Sequence, residues 1–203
     1  MPPISRYIPL IGLTFLLYLG TAQAEMSLQQ IEQGLNKTRH AEGRFSQWDS
    51  KGNKAEGSFT LSRPGKLRFD YYAHDMRIIA DGRWIWISNK SGANLSQIWL
   101  ASTPLSLLLA ETIKLDNSEY TIRHQEKDGD IELWITPKKK TLGGQLLLLL
   151  DKNTLQLKGW EIEDAQGFRT AIILSKLQVL KTPPPASLFT IDPRPLGSKR
   201  GRQ

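Results

Sequence analysis

The sequence predicts a mainly β protein: an antiparallel barrel or strongly curled sheet of about eleven short strands, with one helix before them and one among them. Three observations predict it. Apolar and polar side chains alternate with period two through most of the chain. Turn signals punctuate that alternation roughly every ten residues, the spacing of a hairpin-connected sheet. Only two segments carry helical periodicity, one before the strands and one among them.

The first helix opens at Ser27, whose spacing to Gln30 makes a capping box, and Leu28, Ile31 and Leu35 fall on one apolar stripe. It closes over Asn36 to His40, where Lys37 and Arg39 suit the negative end of the helix dipole. Strands follow at Gly43–Trp48, Gly57–Ser62, Lys66–Tyr72, Met76–Ala80 and Arg83–Ser88. Their breaks are Lys51-Gly52-Asn53, Pro64-Gly65 and the hairpin signal Asp81-Gly82. Trp84-Ile85-Trp86-Ile87 is apolar on both faces, so something must cover each side of the sheet there. After a short strand at Gln97–Leu100 comes the second helix, with Thr103 as N-cap, Pro104 at the first position and a greasy run of Leu105, Leu107, Leu108 and Leu109. Strands resume at Glu119–Gln125, Ile131–Thr136 (joined through Asp128-Gly129), Gln145–Leu150, Leu155–Glu163 and Phe168–Leu177. Pro183-Pro184-Pro185 ends regular structure, leaving Leu188, Phe189 and Ile191 as a last apolar clip.

The N-terminus reads as an export signal. Arg6 precedes a short apolar run from Ile8 to Leu19, and Ala22-Gln23-Ala24 supplies small residues for cleavage after Ala24. The run is shorter than the about 20 apolar residues of a spanning helix. The expected organisation is therefore a signal peptide over residues 1–24 and a single domain over 25–203 with a basic C-terminal tail, located in the periplasm. Cys is absent, which removes disulfides, thiol chemistry and Cys-ligated metal. Lys and Arg number 27 against 20 Asp and Glu, for a net charge of +7. Some of that excess sits in Lys138-Lys139-Lys140 and in Lys199-Arg200-Gly201-Arg202. Two explanations stay open, attraction to anionic membrane surfaces or a solvated loop and tail. Basic residues interleaved with stacking aromatics are not evident, so no nucleic-acid partner is expected.

The motifs of catalysis are missing. His40, His74 and His124 are scattered without metal-ligand spacing and are expected at the surface, and Ser58, Ser62, Ser88 and Ser102 have no evident base partner. No enzyme activity, no cofactor and no metal are expected. What is present is large apolar side chains, with six Trp, six Phe and five Tyr beside many Leu and Ile. Two short helices cannot fill the inside of an eleven-stranded curl, so an apolar cleft should remain. Such a cleft suits an acyl chain, held by burial at about 0.8 kcal/mol per CH₂.

The motifs, in order, resemble the outer-membrane lipoprotein carrier protein (LolA) family across the mature chain. Phe45-Ser46-Gln47 is similar to its F-x-Q strand. Arg63-Pro64-Gly65-Lys66-Leu67-Arg68-Phe69 resembles its R-P-x-x-[LF]-x-[FW] segment, with Leu67 where many members carry Phe. Asp81-Gly82 followed by Trp86, Thr103-Pro104-Leu105 with Leu108 and Leu109, and Trp160 to Asp164 with Gly167 and Thr170 are similar to its later motifs, and Leu188-Phe189 to its closing pair. The resemblance implies an incomplete antiparallel β-barrel of about eleven strands, with two or three short helices forming a lid over a hydrophobic cavity, and a monomeric carrier. It would collect lipoproteins by their acyl chains from an inner-membrane lipoprotein-releasing ABC transporter and deliver them to an outer-membrane receptor or the membrane surface. It implies that Arg63 latches the lid by hydrogen-bonding lid-helix carbonyls, a task its five fixed donors suit. The expected cleft residues are Phe45, Phe59, Leu61, Leu67, Phe69, Trp86, Trp99, Leu108, Ile135 and Trp160, and a one-residue slip of register would turn any of them outward. The expected lid residues are Leu28, Ile31, Leu35, Leu105 and Leu109. Which side chains of Leu146 to Leu150 face inward stays open. So does a second function, a periplasmic lipid or glycolipid shuttle of the same fold.

Overall fold

All eleven strands belong to one antiparallel sheet, and their spatial order explains how it curls without closing. In this computed structural model, which describes residues 26–191 apart from 93–94, 117, 140–143 and 165, the chain first lays down β1 (His40–Asp49), β2 (Lys54–Ser62), β3 (Lys66–Tyr71), β4 (Arg77–Asp81), β5 (Trp84–Ser88) and β6 (Ser96–Trp99) as consecutive neighbours. It then crosses to the opposite edge. From there β7 (Tyr120–Lys127), β8 (Asp130–Pro137), β9 (Gln145–Asp151), β10 (Leu157–Glu163) and β11 (Arg169–Val179) step back until β11 pairs with β1. Strands β6 and β7 are thus the two ends of the sheet and do not pair with each other. The expected signal segment, Lys140 and the basic tail lie outside the described residues.

Turn chemistry sets the hairpins. Asp128 and Gly129 both take positive φ, 52° and 85°, which matches the sheet's right-handed twist at a two-residue loop. Asp81 Oδ1 accepts from the amides of Arg83 and Trp84, each at 2.8 Å, and holds the β4–β5 turn. Register shifts in the β1–β11 and β9–β10 pairings add local twist and help bend the sheet.

Alternation places the core on the concave face. Phe45 lies opposite Gly57, which lies opposite Tyr71. A Cβ on Gly57 would stand 2.5 Å from the Phe45 ring and 2.2 Å from the Asp70 carbonyl, so only glycine lets that ring lie flat across the strand. Phe45, Phe59, Phe69, Tyr71 and Trp160 form a continuous aromatic floor, with Phe45 and Phe69 centroids 4.4 Å apart and Tyr71 edge-on to Phe45 at 5.1 Å. Tyr71 donates its hydroxyl to Gln47 Oε1 at 2.6 Å, and burial pushes its pKa up to about 12 against the opposing pull of that bond. On the other half of the sheet the floor is aliphatic: Leu146, Leu148 and Leu150 of β9 are buried inward, and Leu147 and Leu149 turn outward.

The helix α1 (Leu28–Lys37) has its capping box, with Ser27 Oγ accepting from the Gln30 amide at 3.3 Å and Gln30 Oε1 accepting from the Ser27 amide at 2.9 Å. It ends at Lys37, earlier than the sequence suggested, and His40 already belongs to β1. The second helix, α2 (Leu105–Leu108), is a single turn after a 3-10 turn at Leu100–Ser102. Thr103 is not its N-cap: Pro104 holds that position, and the Thr103 hydroxyl instead donates back to the Leu100 carbonyl at 2.8 Å. The C-terminal clip forms a 3-10 turn, Ala186–Phe189, against β3 and β4. There Arg68 donates to the Leu188 carbonyl at 3.1 Å, and Phe189 and Ile79 are buried apart from the main core. This small cluster covers the outer side of β3 and β4, while Trp84, Trp86 and Ile87 of β5 stay half-exposed.

Candidate functional site

The concave face is roofed unevenly, and the two parts differ in what holds them. Under α1 the sheet and helix meet closely. Ile31 and Leu35 are buried, and Leu28 is half-buried against the same core. Gly34 lets the helix sit against Leu155, whose own Cβ would lie 2.3 Å from a Cβ on Gly34. The residual void there is about 30 Å³, lined by Leu35, Phe59, Leu61, Leu108 and Ile113 with Arg63 at its border.

Arg63 is 3% exposed and sits between β2 and β3. Its Nη2 donates to the carbonyls of Leu35 (2.8 Å) and Thr38, and its Nη1 donates to Asn36 Oδ1 at 3.2 Å. These carbonyls are the free acceptors at the end of α1, which need partners once buried. Burial lowers the guanidinium pKa to about 10, with a smaller push from Arg39, so it remains charged at neutral pH. The bonds go to α1 only, not to both lid helices. The link to the α2 region runs through residues the sequence did not single out. Asn36 Oδ1 accepts from the Ile113 amide at 2.9 Å and its Nδ2 donates to the Ile113 carbonyl at 2.8 Å. Glu32 Oε2 accepts from the Leu115 amide at 2.7 Å, and the Gly65 amide donates to the Leu109 carbonyl at 2.7 Å. The available signal was the pair Glu32 and Asn36, polar residues four apart beside the apolar stripe.

The start of α1 is fastened too. The Met26 amide donates to Glu126 Oε1 at 3.0 Å, and its carbonyl lies 2.7 Å from His124 Nε2, both on β7. His124 is therefore half-buried and engaged, not a free surface residue. His40 is likewise half-buried, its Nδ1 2.9 Å from Ser62 Oγ, and desolvation followed by Arg39 and Arg63 lowers its pKa. This Ser–His pair spans β1 and β2 on the outer face, away from the cleft.

Beside α2 the face stays open. A cleft of about 500 Å³ lies between the sheet residues Leu67, Phe69, Ile85, Trp160 and Ile172 and the segment Ser102–Leu105. Gln47, Asp164, Gln166 and Thr170 add polar groups to its lining. Its size falls in the range of about 300–1,000 Å³ typical of ligand sites, and its lining is mostly apolar. Trp160 contributes a buried indole Nε1–H that has no hydrogen-bond partner among the described residues.

Of the ten residues expected in the cleft, Leu67, Phe69 and Trp160 line it, and Phe59, Leu61 and Leu108 line the small void under α1. Phe45 and Ile135 are buried in the packed floor and reach neither space. Trp86 and Trp99 are corrections. In register, Trp86 shares a face with Ile79 and Arg68, and Trp99 with Trp84, which is the outer face. Trp86 gives its Nε1–H to Asp81 at 2.7 Å, and Trp99 is 39% exposed beneath the Arg83 guanidinium, 5.0 Å from its ring. The inward residues of these strands are Ile85 and Ile98. Both faces of β5 are apolar, so alternation could not tell them apart. Of the lid residues, Leu105 lines the cleft, and Leu109 is buried beside the outer groove that also holds Trp99.

The profile of the family described as outer membrane lipoprotein carrier protein LolA matches residues 36–192. The chain belongs to this family. Among LolA relatives, the outer-membrane lipoprotein carrier protein of Methylococcus capsulatus is 31% identical over 94% of this chain and 95% of its own length. That of Ralstonia nicotianae is 26% identical over 93% and 94%. A solved LolA superfamily protein from Nitrosomonas europaea aligns over 81% of this chain and 98% of its own, with a TM-score of 0.46 and 11% identity. Among the described residues no helix is long and apolar enough to cross a membrane, and no cluster of His, Asp and Glu could hold a metal ion.

Proposed function

We propose that this LolA-family chain is a non-enzymatic carrier that shields the acyl chains of lipoproteins on their way to the outer membrane. The observation that carries this is the open apolar cleft bordered by the segment Ser102–Leu105, which leads into the one-turn helix α2. An acyl chain can replace the contacts of Leu105 at little net cost, because apolar contact is non-directional. Affinity then scales with buried length, at about 0.8 kcal/mol per CH₂. The leader over residues 1–24 sends the chain to the periplasm and is removed after Ala24. Cargo is received from an inner-membrane ABC transporter and released to an outer-membrane receptor or the membrane itself. The chain works as a monomer and without a cofactor.

Arg63 supports the closed, unloaded state by its bonds to α1. The Arg63→Leu chain should fold and take up lipoprotein yet transfer it poorly. The function is tested by depleting the protein in its parent cell and fractionating lipoproteins between the two membranes. Lipoproteins should accumulate at the inner membrane; an unchanged distribution would reject the carrier function. Native mass spectrometry of the purified protein separates peptide-linked acyl chains from the free lipid that a lipid or glycolipid shuttle would hold.

A further inference from the structure

Trp160 does something in the cleft that packing does not require. Its ring stacks on Phe69 at 6.0 Å with the planes 16° apart, and in the sheet it stands between Leu148 and Ile172. A phenylalanine would supply the same stacking without a donor. The Trp160 Nε1–H is buried, and it is the one buried side-chain polar atom without a partner among the described residues. Trp86, on the outer face, shows the ordinary arrangement: its indole N–H is given to Asp81. Buried indoles normally find such a partner, because a desolvated donor left unpaired is costly. A stranded donor in the wall of a ligand cleft fits a site whose partner arrives with the ligand.

The cleft's chemistry limits what that partner is. Leu67, Phe69, Ile78, Ile85 and Ile172 make most of the lining apolar, and the polar side chains that share it, Gln47, Thr103, Asp164, Gln166 and Thr170, are half-buried or exposed, unlike the buried Trp160 donor. An acyl chain is apolar along its length and carries one acceptor at its head, the carbonyl oxygen of its ester or amide. Indole is a donor only, so donor meets acceptor without ambiguity. Burial alone sets how strongly a hydrocarbon is held but not how far in it slides. One fixed donor sets that depth.

We propose that the Trp160 indole N–H hydrogen-bonds the ester or amide carbonyl at the head of a bound acyl chain, so that the cleft selects acyl chains over plain hydrocarbon of equal length. This rests on the acyl-carrier function proposed above. The carbonyl reaches Nε1 only after the ligand displaces the side chains that now cover it, so the bond belongs to the loaded state.

The test compares dioctanoylglycerol with its ether-linked counterpart dioctylglycerol, which lacks the carbonyls, on the purified chain and on Trp160→Phe by calorimetry. The wild type should favour the ester roughly tenfold, which corresponds to about 1.4 kcal/mol. Trp160→Phe should bring the two ligands to near parity, lowering the affinity for the ester more than that for the ether. In nitrogen-15 spectra, the indole signal that Trp160→Phe removes should move downfield with the ester and not with the ether. Equal binding of both lipids by the wild type, or equal weakening of both by Trp160→Phe, overturns the proposal and leaves Trp160 a packing residue. Failure of both lipids to bind the wild type rejects the acyl-carrier function itself, and this proposal with it. If Trp160→Phe does not fold, the wild-type preference and the indole shift decide.

Discussion

The roof over α1 and the roof over α2 cover the same sheet, yet one leaves about 30 Å³ and the other about 500 Å³. The first is a ten-residue helix with both ends hydrogen-bonded and a glycine cut to fit Leu155. The second is one turn of leucines with no side-chain cap. Hydrogen bonds are directional and leave buried acceptors stranded when broken, whereas leucine contacts can be exchanged for any apolar surface. On the proposed carrier function, the hydrogen-bonded part is the firmer wall of the cavity, which yields only when its bonds break, and the greasy part is the readier door.

The strongest way to break this contrast is Arg63→Leu, which strands the Leu35 and Thr38 carbonyls and one acceptor on Asn36. A loss of about 3 kcal/mol is expected in urea unfolding, with faster amide exchange confined to α1. Unchanged exchange there would mean that packing, not hydrogen bonding, shuts the α1 side. Leu105→Ala acts on the other part. It removes a buried side chain that already borders open space, so the cost should be about 2 kcal/mol, the low end for such truncations. Longer acyl chains should bind better in calorimetry, and an unchanged length preference would show that Leu105 is not part of the door. Gly34→Ala pushes a Cβ against Leu155 and should cost about 1.5 kcal/mol by overpacking. Leu155→Gly in the same chain should recover part of that loss, since it removes all three colliding atoms, the Cβ at 2.3 Å included, at a position whose φ of 57° glycine adopts freely; no recovery would place the strain elsewhere. The smallest effect concerns neither roof. Asp70 on the outer face is pushed up by burial but held below the usual carboxylate range by Arg68 at 2.5 Å and Arg77 at 2.7 Å. A depressed carboxyl stabilises the fold above its unfolded pKa, about 4, and that contribution fades as pH falls through the lower folded value. Acid should therefore loosen the C-terminal clip that Arg68 holds, by about 1 kcal/mol or less, before either roof changes. Asp70→Asn should flatten that part of the acid unfolding curve; an identical curve would remove Asp70 as its source.

Most of the sheet was legible because turns carry local chemistry. Asp128-Gly129 and Asp81-Gly82 marked hairpins that the backbone makes, and the alternation of Phe59 and Leu61, or of Leu67 and Phe69, assigned the right face. The capping box of Ser27 and Gln30 could be read from spacing alone. The face of Trp86 could not, because every residue from Trp84 to Ile87 is apolar and alternation needs a polar partner, whereas Trp99 shares its face with Gln97, a polar signal that the expected inward placement passed over. The distant clip that buries Phe189 and Ile79 on the outer side of β3 and β4 is likewise invisible to local alternation. The ties from Asn36 to Ile113 and from Glu32 to Leu115 join residues more than seventy positions apart, and no local pattern encodes such a pairing.

The bonds from Met26 to β7 have a mechanical consequence. β7 is one edge of the sheet, and Arg63 grips the other end of α1 near β1 and β2, at the sheet's middle. The helix is thus a strap buckled at two points, unable to swing on a single hinge. Freeing it at one end leaves the other held, and the carboxylate of Glu126 and the imidazole of His124 fasten the edge end as the arginine fastens the middle.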